Sequence, residues 1–581
     1  MNRIFKTVFS RSRGAMMVAN ELTKSHQVGK KAAVAVAVTG ALVFGAGSAA
    51  AGSFSAKGVE MTLEQKDVAS YTIDDDIVGG WDAKRDSSFS AFDQSGKDTH
   101  LTLNTNVGFA EIIGGFLMAQ ENYTDPKTYK LGKTYLEVSN TIANENIVGG
   151  SKGSLAFGDI MTNSTTLVLK DGAETIAETN SDNNYEVRHL VVAGDLMKCR
   201  WQNSNSSLLG SGEYDLSSTI GTTNLIIQGG SFDSMVVGGS VIYDHEYDVK
   251  NTGQADGRLY SKVGTANTTI NGGSFTRPIF GGSIAIGFVS KVTETGELVD
   301  KTGKAIAIID DINMVIKPEN GSTISFGEKA DIYAGGAYNG FTSEVEDSTV
   351  IDDHTITGGE VTVTGRAKVS ISDANIHDFY GATAKLSLNE PNSYYKVEAK
   401  NYVATDLTLE NVKANTVVLG LDGNTAKTNR DSTLNVHGKV ELGELKATGV
   451  KISLFDAPAN TPKVQTFAED VPQTGTQLNL GTLTGTGNSF YFATSDASVN
   501  IAKNGNENTP DADKPLIDSI TGSGSVNDDV AGDLNELASM VTVGGTSGAE
   551  VLKNTDLKLE SGDVFGETTG TINKEECTYV L

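Results

Sequence analysis

An apolar pair followed by Gly-Gly recurs along this chain, and that recurrence limits the chain to a stack of similar units. Copies stand at Ile77-Val78-Gly79-Gly80, Ile112-Ile113-Gly114-Gly115, Ile147-Val148-Gly149-Gly150, Val236-Val237-Gly238-Gly239, Ile279-Phe280-Gly281-Gly282 and Ile332-Tyr333-Ala334-Gly335-Gly336. Degenerate copies are Val191-Val192-Ala193-Gly194 and Phe379-Tyr380-Gly381-Ala382. The first glycines, at 79, 114, 149, 194, 238, 281, 335 and 381, are 35 to 54 residues apart. Such a period marks a solenoid, whose units bury their apolar faces only against their neighbours.

Strand chemistry says which kind. Short alternating runs precede most of the pairs: Leu101–Asn104, Tyr135–Val138, Asn224–Ile227, Thr268–Asn271, Asn313–Ile316 and Val361–Thr364. Their period of two is that of half-buried strands bounded by Gly, Asn and Ser turns. A strand, a glycine corner and a second strand make most of one coil. Glycine suits the corner because it accepts φ > 0 and lets stacked backbones approach. The expected fold is all-β, a right-handed parallel β-helix with projecting β-hairpins. The surplus length in each unit reads as hairpins leaving the stack. One pairs 241–249 with 258–263 around the tip Lys250–Gly257, one pairs 284–289 with 305–309, and one pairs 384–388 with 394–398. Tyr243, Tyr247, Tyr260, Tyr338, Tyr394 and Tyr395 fall in or near these arms and are the candidate binding-surface aromatics. The same residues would serve equally as cross-strand packing. Beyond residue 400 the coils become plainer, as in Asp406–Glu410, Thr416–Leu419 and Thr433–Val436.

The first 51 residues are an export signal. Lys30 and Lys31 precede an apolar run, Ala32 to Phe44, and a small-residue segment ending in an Ala-x-Ala cleavage site at Ala49–Ala51. That apolar run is too short to span a bilayer. The preceding segment opens Met-Asn-Arg-Ile-Phe-Lys and continues with Val18-Ala19-Asn20-Glu21-Leu22-Thr23-Lys24. It resembles the extended signal peptide region of large type V secreted proteins of Gram-negative bacteria. The resemblance implies slowed inner-membrane export of a long β-rich passenger, with the export machinery as first partner and the cell surface, outer membrane or extracellular space as destination. Leu478-Asn-Leu-Gly-Thr-Leu-Thr-Gly-Thr-Gly-Asn-Ser-Phe-Tyr-Phe492 resembles a late segment of pertactin-like autotransporter passengers. There the terminal coils fold first and template the rest. The expected organisation is therefore a signal at 1–51, a β-helix passenger at 52–440, terminal autochaperone-like coils at 441–545 and a linker or remnant at 546–581. An autotransporter would continue into an outer-membrane barrel of about twelve strands. None is read here, so the expectation is a truncated gene or a barrel on another chain.

Charge and cysteine content fit export. The leader holds seven Lys and Arg against one acid, so of 46 basic and 73 acidic residues the mature part keeps 39 and 72. A surface that acidic repels nucleic-acid phosphates and excludes nucleic acid as a partner. Cys199 and Cys577 stand 378 residues apart, outside any metal-binding or redox spacing, and read as incidental.

No residue is nominated as catalytic, and no cofactor or metal ligand is nominated. Gly149-Gly-Ser151-Lys-Gly153 matches Gly-x-Ser-x-Gly, but these glycines are one copy of the repeat and not a strand-to-helix elbow. Seven histidines show no ligand spacing. Asp74–Asp76, Asp310-Asp311 and Asp352-Asp353 read as solvated turns at corresponding positions. Two functions follow from different classes. One is an adhesin-like passenger that binds a host glycan or protein, or a neighbouring cell, through coil faces and hairpins. The alternative is a secreted β-helical polysaccharide-degrading enzyme, which would need paired carboxylates in a cleft.

Overall fold

A computed structural model of the chain describes residues 5–10, 15–20, 54–56, 60–68, 75–81, 96–118, 128–153, 158–176, 189–200, 216–245, 258–287, 289–294, 297–302, 304–319, 321–339, 359–387, 396–420, 432–455, 475–494, 496–507, 516–523, 537–547, 555–560 and 579–580. The chain divides into two units, Met1–Gly47 and Ser48–Leu581. The first holds an antiparallel pair, Phe5–Ser10 with Ala15–Asn20. The second is a parallel β-helix.

Its first sheet stacks the long strand of each coil. Thr128–Ser139, Gly158–Leu169, Leu216–Ile227, Arg258–Ile270 and Lys304–Ile316 lie side by side, all parallel. Leu101 pairs with Leu136, Leu136 with Leu167, Leu167 with Leu225 and Leu225 with Thr268. A period of two points this column into the core, where the four leucines are at most 1% exposed. The six alternating runs that precede the glycine pairs all fall on this sheet, whereas Thr416–Leu419 falls on the second.

The apolar pairs form the second sheet. Ile77, Ile112, Ile147, Val191, Val236, Ile279, Ile332 and Phe379 pair in one unbroken register. They point into the main core, while their successors Val78, Ile113, Val148, Val192, Val237, Phe280 and Tyr333 point the other way into a second core. That explains why both members of each pair are apolar: a strand buried on both faces reads as a continuous run.

A third sheet encloses the second core. After Gly-Gly the chain runs through Leu196–Arg200, Val241–His245, Ile284–Ile286, Ala337–Asn339 and Ala382–Ser387, parallel from coil to coil. Leu196, Val241, Ile284 and Ala337 face the second core, and Met197, Ile242, Ala285 and Tyr338 the first. This corrects the first expected hairpin. Residues 241–245 and 258–263 are coil strands of different sheets, and the intended tip, 250–257, lies outside the described residues. A hairpin does occur in the next unit, but as Val289–Glu294 with Glu297–Thr302, between the coil strands that were read as its arms. The last holds as expected: Ala382–Ser387 pairs antiparallel with Lys396–Tyr402, and that reversed strand ends the third sheet. The described residues of 441–545 continue the second sheet through Lys439–Ala447, Gln477–Thr484, Ser498–Asn504 and Val541–Val543 and the first sheet through Lys451–Phe455, Ser489–Phe492 and Ser519–Ser523.

The glycine pairs form their own ladder. Gly79 N–H donates to Ile113 O, Gly80 N–H to Gly115 O, and the pattern repeats to Gly335 N–H on Ala382 O. A Cβ on Gly79 would stand 2.5 Å from Gly114 O, so close approach is the reason for glycine here. None of the paired glycines lies in the left-handed region. Positive φ is found instead at Gly230 (105°) and Gly273 (108°), in the turn that leads into the stacked Phe232 and Phe275. The register also places Ala334, not Gly335, opposite Gly281.

Candidate functional site

The residue immediately ahead of each apolar pair lies on the face of the second sheet turned away from the main core, where Leu190 and Met235 pack into the second core. Ahead of the paired Ile77 and Ile112 these are Asp76 and Glu111, and ahead of the paired Ile332 and Phe379 they are Asp331 and Asp378. Two places in the stack thus bring acids of neighbouring coils together. Like charges so placed destabilise a sheet unless something neutralises them.

At the first place the neutralising group is Lys152. Its Nζ donates to Glu111 Oε1, which also accepts Asn146 Nδ2 at 2.9 Å, and the Glu111 side chain is only 3% exposed. Burial pulls the Lys152 amine down, but the charges of Glu111, Glu145 and Asp76 and the Glu111 hydrogen bond outweigh it, so its pKa is raised.

At the second place the group is His377. Its Nδ1 lies 2.7 Å from Asp331 Oδ1 and 3.8 Å from Asp378 Oδ2. Asp378 is held from two more directions, Oδ1 by the Thr416 N–H at 3.0 Å and Oδ2 by the Tyr380 hydroxyl at 3.2 Å. The ring of Tyr380 stacks on Tyr333 at 4.8 Å, on the wall of the second core. All three side chains are partly exposed. Burial raises the Asp331 carboxyl above its ordinary value despite the His377 hydrogen bond. Burial lowers His377, while the Asp331 hydrogen bond and the charges of Asp378, Asp331 and Glu328 overcome it and raise the imidazole. Donor atoms of the three lie within 4.8 Å of one another. Ligand spacing along the sequence does not reveal this trio, because Asp331 and His377 are 46 residues apart. The available signal was an acid at the same repeat position in consecutive units.

The expected aromatics are not brought together. Tyr243 is 2% exposed and Tyr338 7%, each packed in a core, because period two turns them inward from third-sheet strands. That removes both from any contact surface. Tyr260 is half-buried in the first sheet, and Tyr247, Tyr394 and Tyr395 lie outside the described residues, as do Ala49 and Ala51. Ser151 is fully buried, its Oγ accepting the Phe116 N–H at 3.1 Å, and it belongs to the stack. Cys199 lies on a third-sheet strand opposite Asp244, and Cys577 is outside the described residues. The acid pairs do not share one kind of turn, contrary to expectation. Asp310 and Asp311 sit within the strand Lys304–Ile316, Asp75 and Asp76 precede the second sheet, and Asp74, Asp352 and Asp353 are outside the described residues.

Residues 1–50 match the family model described as Extended Signal Peptide of Type V secretion system. No curated protein and no solved structure matches the chain. The chain therefore carries a type V export signal, which directs it through the periplasm to the cell surface or the extracellular space.

Proposed function

We propose that the exported part is an adhesin-like binding passenger that contacts a host glycan or protein, or a neighbouring cell, and that it binds rather than catalyses. One observation carries this reading. The segments that differ most in length between units, 119–127, 154–157, 201–215, 246–257 and 340–358, all connect the end of a third-sheet strand to the start of a first-sheet strand. The hairpin Val289–Thr302 occupies the same junction. Between residues 96 and 387 one other long segment, 177–188, interrupts the second sheet, whereas 82–95, 421–431 and 456–474 lie at other junctions outside that span. Between residues 96 and 387 variable sequence is thus gathered mainly at the junction from third to first sheet, while the coil strands keep a common register. Binding residues concentrate on such segments when a rigid scaffold carries them.

The test is attachment of cells secreting the protein with 246–257 or 340–358 replaced by short Gly-Ser linkers. Coil stability comes from unit-on-unit contacts, so the variants should keep their far-ultraviolet spectrum and lose attachment. Unchanged attachment in every such variant, with the protein folded and exported, would sink the reading.

A further inference from the structure

The stack holds two acid pairs at the same repeat position, and it neutralises them differently. Asp76 and Glu111 face a permanent cation, Lys152. Asp331 and Asp378 face an imidazole, which can be a proton carrier or a metal donor. We propose that Asp331, His377 and Asp378 bind a divalent transition-metal cation of the zinc type, which bridges two coils of the stack.

Donor identity comes first. One imidazole nitrogen with carboxylate oxygens is a set that suits zinc, with three protein ligands and an open fourth position. Calcium takes six to eight oxygens, more than this cluster offers. Geometry comes second. With bonds of about 2.0–2.1 Å, tetrahedral donors stand roughly 3.3 Å apart. The His377 Nδ1 distances of 2.7 Å to Asp331 and 3.8 Å to Asp378 straddle that value, and all three donor atoms lie within 4.8 Å of one another. Orientation comes third. The Thr416 N–H and the Tyr380 hydroxyl already fix Asp378, as partners beyond the ligands do in built metal sites. Charge is the fourth point: two carboxylates, with Glu328 nearby, give a divalent ion more compensation than a single imidazolium can return. Partial exposure of all three side chains leaves a path for entry.

The purified exported protein, stripped with EDTA, is titrated with zinc by calorimetry, and separately with cobalt to read the visible absorption of a tetrahedral site. The expected result is one zinc bound per chain, a melting point raised by several degrees and tetrahedral cobalt bands. His377→Ala and Asp331→Asn should each weaken zinc binding at least 10-fold. Asp310→Asn, which removes an acid from a first-sheet strand outside the trio, should retain binding within a few-fold. Circular dichroism checks that each variant folds, and His377→Gln serves as a closer-sized variant if His377→Ala does not. No zinc uptake by the wild-type protein overturns the proposal. So does equal affinity in a folded His377 variant, which would place the ion elsewhere on the acidic surface.

Discussion

Asp195 Oδ1 accepts the main-chain N–H of Ser151 at 2.7 Å, in a column that otherwise uses serine. Over four consecutive coils the residue following the glycine position donates its N–H to the side-chain oxygen one coil further on: Phe116 to Ser151, Ser151 to Asp195, Asp195 to Ser240, and Ser240 to Ser283. Asp195 is wholly buried, and its other oxygen accepts the Ser218 hydroxyl at 2.7 Å. Burial pushes its carboxyl up to about 6, although the Ser151 and Ser218 hydrogen bonds oppose the shift. The folded state therefore holds this proton more tightly than the unfolded chain does. Its contribution to stability is full below about pH 4 and is lost as pH rises through about 6, by on the order of 3 kcal/mol. Asp195→Asn carries no charge, can still accept the Ser151 N–H on Oδ1, and reverses the Ser218 contact, its Nδ2 donating to Ser218 Oγ. Urea midpoints measured at pH 4 and pH 7 should diverge between wild type and variant, with the variant more stable at pH 7. Parallel pH dependence in the two would exclude Asp195 as the source.

The glycine ladder is not uniformly strict. A Cβ at Gly80 would stand 2.5 Å from Gly115 O and 2.8 Å from the Phe116 ring, whereas at Gly282 the nearest atom is 3.1 Å away. Gly80→Ala should cost about 1–3 kcal/mol as overpacking, and Gly282→Ala distinctly less. Chemical denaturation of the two variants side by side checks the order.

Lys152→Met leaves Glu111 buried without its counter-charge and should cost about 3–5 kcal/mol. Adding Glu111→Gln should recover a large part of that loss, since both charges are then gone. A double-mutant cycle by thermal melting measures the coupling, and an additive result would contradict it.

Phe275 is sandwiched between Phe232 and Phe326, with ring centroids 5.6 Å from each. It is 1% exposed, so Phe275→Ala should cost about 3–5 kcal/mol, through lost burial and a cavity in the middle of the column. Limited proteolysis should then cut first in the flanking coils, because each unit is supported only by its neighbours.

Export should remove residues up to about Ala51, given the basic, apolar and small-residue order of the leader. N-terminal sequencing of the secreted protein should begin near Gly52 or Ser53; a start at Met1 contradicts the cleavage.

The main repeat was legible because apolar pairs and glycine pairs do their work locally, in one strand and its neighbour. Ile77-Val78-Gly79-Gly80 could be aligned with Ile112-Ile113-Gly114-Gly115 by inspection, and the structure pairs them in that register. The third sheet was not legible. Val241-Ile242-Tyr243 has the alternation of a strand, but period two does not say whether a strand pairs with its own return arm or with the next coil. Here Val241 pairs with Leu196 and Ile284, both in other units. The same limit hid the second core, and with it the burial of Tyr243. His377 and Asp331 were missed for a related reason: in a solenoid, proximity follows repeat position and not separation along the chain.

The antiparallel strand Lys396–Tyr402 sets a direction for growth of the gene. Between Ile77 and Phe379 every unit meets the next in one shared pairing, so a whole unit could be duplicated or deleted and the flanking surfaces would still match. At Lys396–Tyr402 the third sheet turns back on itself, and among the described residues no further strand joins it there. Duplication upstream of this strand therefore adds coils built on three sheets, whereas duplication downstream adds coils built on the first two alone.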